Sequence, residues 1–131
     1  MGFAPNLPLA ELRALLARAA VGLHCMWNEH FGIGVVEMMA AGVPPIAHDS
    51  GGPALDIVGR RAGAPPGEPE TGLLASSAQQ YADAMGALLL APNAELRRKT
   101  MAAAARVSVQ HRFSEAAFSD GFCAALAPAL A

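Results

Sequence analysis

The stretch Asn28-Glu29-His30-Phe31-Gly32-Ile33-Gly34-Val35-Val36-Glu37 holds the residue types best suited to chemistry. Two carboxylates, Glu29 and Glu37, bracket a turn that contains Gly32 and Gly34. A carboxylate can accept hydrogen bonds from two neighbouring hydroxyls of a sugar. The glycines let backbone come close to a ligand. The amides of Ile33 and Gly34 would open a helix, where unpaired N–H groups and the helix dipole favour a phosphate. Hydroxyls at both ends and phosphate between them describe a nucleotide-sugar. The plainer alternative is a common glycine turn, with Glu37 serving only as a helix-dipole partner.

The elements around this stretch alternate in a way that would position it. After Pro8, the residues Leu9, Leu12, Leu15, Leu16 and Ala19 recur at helical spacing. The run Val21 to Cys25 fits a buried strand. Gly34 to Ala41 reads as a helix closed by Gly42. Pro44 to His48 reads as a second strand, with its prolines confined to the start, and Ser50-Gly51-Gly52-Pro53 as a turn. Leu73-Leu74-Ala75 fits a brief third strand. Ser77 with Gln80 forms a capping-box pattern before a helix. Pro92 ends that helix, and Asn93 is placed to cap the next, which runs to about His111. Ser114 and Glu115 open a last helix with Phe118, Phe122, Ala125 and Leu126 on one face, and Pro128 ends or distorts it. Strand and helix alternating in the first half predict an α/β fold with a parallel sheet. Ligands of such sheets sit beyond the carboxyl ends of the strands. Residues 59–72, rich in proline and glycine, read as a flexible exposed loop.

Composition narrows the classes. The 131 residues are 53% hydrophobic and 15% charged, with a formal net charge of −2. That excludes intrinsic disorder and a basic nucleic-acid footprint. Cys25 and Cys123 lie far apart in apolar stretches; a disulfide scaffold is denser in cysteine and a zinc site more closely spaced, so they read as buried free thiols. No run is long enough to span a membrane. His24, at the end of a strand, reads as a hydrogen-bonded core histidine; a metal site built with Cys25, Glu29 and His30 matches no familiar spacing. Trp27 reads as a packing residue before a sugar-stacking one, Met38 and Met39 as core, and Arg97, Arg98 and Lys99 as a solvated face. His48-Asp49-Ser50 holds triad residue types without triad geometry.

With its continuation Met38-Met39-Ala40-Ala41-Gly42-Val43-Pro44, the stretch resembles the E-x7-E signature of retaining GT-B glycosyltransferases of the family-four type. The similarity extends through Gly22-Leu23-His24, Met26-Trp27-Asn28, Ala47-His48, Ser50-Gly51-Gly52-Pro53, Leu55-Asp56-Ile57-Val58 and Thr71-Gly72-Leu73-Leu74-Ala75, densest from Val21 to Val58. There it looks like the members that transfer mannose from GDP-mannose to a dolichol-linked oligosaccharide.

The resemblance implies that residues 1–131 are the C-terminal half of a nucleotide-sugar-binding domain, a partial Rossmann-like parallel sheet followed by C-terminal helices. It implies a catalytic contact from Glu29 to the transferred sugar. The diphosphate would lie on the backbone of Phe31, Gly32, Ile33 and Gly34, and the ribose hydroxyls on Glu37. His30, Ser50, Gly51 and Gly52 would wall the cleft. It implies an α-1,2-linking, retaining transfer in N-glycan precursor assembly, on the cytosolic face of the endoplasmic reticulum membrane. GDP-mannose would be the donor, with no metal or other cofactor. The lipid-linked acceptor would be held by an N-terminal domain outside this sequence.

Three departures stand out. The family draws an Arg and a Lys to the diphosphate from upstream segments, and nothing before Pro8 supplies them. Ala54 stands where a lysine is common. The prolines at Pro65 and Pro66 are unusual. A GT-B member with another donor, or a non-catalytic truncated remnant, remain the alternative readings.

Overall fold

The computed structural model describes residues 2–58, 67 and 69–130. Its elements run α1 (Leu9–Leu16), β1 (Gly22–His24), α2 (Ile33–Ala41), β2 (Pro45–His48), β3 (Leu73–Ala75), α3 (Ala78–Leu89), α4 (Ala94–Arg112) and α5 (Glu115–Leu130). A short π-helical turn, Pro53–Ile57, follows β2. The three strands pair in parallel in the order β1-β2-β3, so the α/β reading from alternation holds. The expected flexible loop at 59–72 falls mostly outside the described residues.

Register decides which side chains meet. Ile46 pairs with Leu73, and Ala47 with Leu74. Because successive strand residues point to opposite faces, Ile46, Leu73 and Ala75 lie on one side and Ala47 and Leu74 on the other. On the first side Ile46 and Ala75 pack with Leu88 of α3 and Met101 of α4. On the second side Ala47 packs with Val35, Val36 and Met39 of α2, with Ile57, and with Ala105 of α4. One helix, α4, thus joins both cores. Gly22 shares the α2 side, and a Cβ there would collide with the Met38 sulfur.

Helix α2 is held at both ends by left-handed glycines: Gly32 at the N-cap with φ 108° and Gly42 at the C-cap with φ 76°. Arg106 donates from Nη2 to the Ala41 carbonyl at 2.8 Å, satisfying one of the helix's terminal acceptors.

Several local expectations need correction. Leu23 is 50% exposed, on the edge strand β1 of the described sheet. Cys25 and Cys123 are both exposed, not buried. Trp27 is 73% exposed and does not pack. Gly51 and Gly52 begin a helical segment rather than a simple turn. Ser77 Oγ does accept from Gln80 N, but the Gln80 side-chain oxygen Oε1 accepts from Ser76 N and Ser76 Oγ in place of the Ser77 amide. Asn93 sits at the N-cap without a side-chain capping bond. The basic run is not simply solvated: Arg97 pairs with Glu70 and Arg98 donates to the Leu88 carbonyl, leaving Lys99 on Glu95 in an exposed i,i+4 pair. The face of α5 bearing Phe118, Phe122 and Leu126 is exposed, and Phe118 and Phe122 stack on each other. Pro128 lies inside α5. No helix among the described residues is long and apolar enough to cross a membrane.

Truncating a fully buried side chain leaves a cavity that packed neighbours fill only in part. Leu88→Ala, in the α3 core, is expected to lower unfolding free energy by about 3 kcal/mol. Leu90→Ala, two residues on and 85% exposed, should cost less than about 0.5 kcal/mol. Urea denaturation of the two variants beside wild type measures both.

Candidate functional site

The segments that leave the carboxyl ends of β1 and β2 meet. The β1 segment, residues 25–32, carries Glu29 and ends at the N-terminus of α2. The β2 segment carries Asp49, Ser50, Gly51 and Gly52. Gly52 N donates to the Glu29 carbonyl at 2.8 Å. Asn28 N donates to Ser50 Oγ at 2.8 Å, and Ser50 Oγ lies 2.9 Å from His48 Nδ1. Asn28 is in the left-handed region, with φ 54°, a conformation asparagine tolerates better than most residues. The bend it makes turns Glu29 back toward β1.

The glycine pair is required by contact and not merely by turn geometry. A Cβ on Gly51 would stand 2.2 Å from the Glu29 carbonyl oxygen, and Gly51 has φ 55°. A Cβ on Gly52 would stand 2.2 Å from the Phe31 carbonyl oxygen and 2.5 Å from that of His30. Backbone meets backbone here, so no rotamer change could relieve the clash. Ser50, Gly51 and Gly52, read from sequence as cleft wall, are thus brought into direct contact with the segment bearing Glu29, His30 and Phe31.

The remaining residues singled out in the sequence cluster at the start of α2. Gly32 is buried and caps the helix through backbone alone, without a side-chain capping bond. Its carbonyl accepts from Val35 N and Val36 N. The amides of Ile33 and Gly34 precede the first intrahelical donors, as at any helix start. Ile33 and Phe31 are exposed, and the Phe31 ring lies edge-on to Phe113 with centroids 5.6 Å apart. His30 is exposed at the rim.

Glu37 is exposed on α2 and lines a groove of about 440 Å³ between α1 and α2, with Leu9, Leu12, Arg13, Leu16 and Ala40 along it. The apolar stripe of α1 read from sequence is therefore not core. It contributes no buried residue and forms one side of this groove.

One member of the cluster was not legible as such. His24, read as a core histidine, places Nε2 2.7 Å from Glu29 Oε2. The approach lies off the hydrogen-bond direction, so Glu29 Oε2 is a buried atom with no directed partner, and His24 Nδ1, on the other side of the ring, is likewise buried without one among the described residues. The only sequence signal was a histidine ending a strand five positions before a glutamate. Tyr81 of α3 donates its hydroxyl to the His24 carbonyl at 3.0 Å. Burial, with the Cys25 thiol nearby, pushes the Tyr81 phenol up to about 12, so it stays a protonated donor.

Gly52→Ala is expected to displace the Glu29 segment and to lower stability by about 2 kcal/mol, as overpacked contacts do. At Gly86, in α3, a Cβ meets nothing, and Gly86→Ala should raise stability by up to about 1 kcal/mol. Thermal melts of both variants check the pair, and equal effects would contradict the contact argument.

Comparison with known proteins fits this geometry. The family model described as glycosyl transferases group 1 matches residues 1–107. A Xenopus tropicalis protein named GDP-Man:Man(3)GlcNAc(2)-PP-Dol alpha-1,2-mannosyltransferase is 50% identical over 127 residues, covering 96% of this chain and 24% of that protein. The Homo sapiens protein of the same name is 48% identical over 120 residues, 92% of this chain and 23% of that one. The Dictyostelium discoideum protein of that name is 44% identical over 120 residues, 90% and 21%. The chain spans about a quarter of the length of the curated relatives it matches. It belongs to the group 1 glycosyl transferases.

Proposed function

We propose that this chain is the donor-binding part of a retaining mannosyltransferase that takes mannose from GDP-mannose and delivers it to a dolichol-linked oligosaccharide in an α-1,2 linkage. The observation that carries the reading is the glycine-capped start of α2, free of any capping side chain and flanked by Glu29 before it and Glu37 within it. The named relatives supply the donor and acceptor classes.

In this reading each part has a chemical task. The diphosphate lies on the amides at the α2 N-terminus, where the helix dipole offsets its charge. Phe31, Gly32, Ile33 and Gly34 provide that backbone. Glu37 accepts hydrogen bonds from the ribose hydroxyls, and the apolar groove beside it suits the face of a base. Glu29 accepts from hydroxyls of the mannose and offsets positive charge that develops at its anomeric carbon.

During transfer the bond from that carbon to the diphosphate oxygen breaks. A bond to the acceptor hydroxyl oxygen forms on the same face, and the hydroxyl proton passes to the departing diphosphate. Charge on the leaving group is met by helix amides and by cationic side chains from elsewhere in a longer enzyme, without a metal. His30 and the Ser50–Gly52 segment form the cleft wall. A further domain would hold the lipid-linked acceptor, at the cytosolic face of the endoplasmic reticulum.

Calorimetry of GDP and of GDP-mannose with the full chain tests the donor site. Binding of both is expected, weakened about thirtyfold in Glu37→Ala, the equivalent of about 2 kcal/mol for lost bonds to a charged acceptor. Equal affinity in wild type and Glu37→Ala would remove Glu37 from the site. A folded chain that binds neither nucleotide would refute a donor site on this chain alone.

A further inference from the structure

We propose that His24 is a positioning residue for Glu29: it holds one carboxylate oxygen so that the other faces the sugar of the bound donor. The inference rests on the reading of Glu29 as the sugar contact.

Both partners are fixed before their side chains meet. His24 ends β1, and its backbone is held by parallel pairing opposite Ala47 and by the Tyr81 hydroxyl on its carbonyl. Pairing with Ala47 turns the imidazole to the α2 side of the sheet. There the ring packs beneath the start of α2, its Cδ2 3.9 Å from where a Cβ on Gly34 would stand. The Glu29 backbone is held by the bond from Gly52 N. The side chains meet at 2.7 Å, with relative exposures of 16% for His24 and 22% for Glu29, so water competes little for the contact.

Chemistry then assigns the proton. An ionised carboxylate 2.7 Å from a bare Nε2 lone pair would be repelled, so the contact calls for a hydrogen on Nε2, which attracts the carboxylate electrostatically although the approach lies off the hydrogen-bond direction. Oε2 is buried against the ring, and Oε1 is left as the oxygen available to a ligand. A carboxylate on a flexible two-carbon stem would otherwise sample several rotamers, and holding it removes that entropy before the donor arrives. His24 does not touch the sugar itself.

The consequence is specific to the sugar. His24→Phe keeps a planar ring and removes the donor. It is expected to weaken GDP-mannose binding about tenfold while changing GDP binding less than about twofold, since GDP has no sugar for Glu29 to meet. Glu29→Gln should show the same split, and the double variant should lose less than the product of the two single losses. A merely structural histidine would weaken both ligands alike, and that outcome overturns the proposal.

A second measurement is independent of any nucleotide. Imidazole nitrogen spectra of the full chain should show His24 protonated at Nε2. In Glu29→Ala the two nitrogens should move toward tautomer-averaged positions. Identical His24 spectra in wild type and Glu29→Ala would overturn the pairing. If neither GDP nor GDP-mannose binds the wild-type chain, the donor-site reading falls, while the spectra still decide whether His24 and Glu29 are paired.

Discussion

Two backbones touch at the carboxyl end of the sheet, and the rest of the candidate site follows from that contact. Gly51 and Gly52 press against the carbonyls of Glu29, His30 and Phe31 at separations that no Cβ could occupy. Close approach lets Gly52 N reach the Glu29 carbonyl and Ser50 Oγ receive the Asn28 amide. A segment that would otherwise be an exposed loop is thereby tied to the strand beside it. The tie requires β1 and β2 to be neighbours in parallel register, since only then do both segments leave from the same edge. A site at the carboxyl ends of strands is the general result of this topology. Here the glycine pair makes it a closed contact.

Helix α2 transmits the order of the core to the site. Val35, Val36 and Met39 are buried against Ala47, Ile57 and Ala105, and burying side chains of this size is worth about 1.5–3 kcal/mol each. That burial fixes the helix axis, and with it the direction of the amides at Ile33 and Gly34. Gly32, at φ 108°, allows the chain to enter the helix without a side-chain cap over those amides. A serine or aspartate cap would have occupied one of them. The same helix presents Glu37 outward, toward the groove shared with α1. Core packing and the exposed candidate site are therefore two faces of one nine-residue element.

Where the sequence misled, residue type and immediate neighbours did not reveal what each side chain meets after folding. Apolar neighbours made Cys25 and Trp27 look interior, yet both are exposed where the chain leaves an edge strand. Arg98 looked solvated because its neighbours are charged, but it folds back to the Leu88 carbonyl across the turn between α3 and α4. The Ser77–Gln80 pattern held in its first half, because Ser77 meets Gln80 within one helical turn. Its second half shifted to Ser76, where the same glutamine oxygen takes two donors in place of one.

The sequence by itself determined the alternation of strands and helices, the glycine stops of α2, and the pairing of Glu29 with Glu37 around a glycine turn. These are local properties: periodicity, left-handed backbone and spacing act within a few residues. The tertiary structure alone decided that His24 faces Glu29, that Gly51 and Gly52 lie on the carbonyls of residues 29–31, and that the apolar stripe of α1 lines a groove and is not core. Such contacts join segments whose separation in the sequence says nothing about their separation in space, as between Asn28 and Ser50, 22 residues apart. Strand register brings them together, and register is set by the burial of both sheet faces at once.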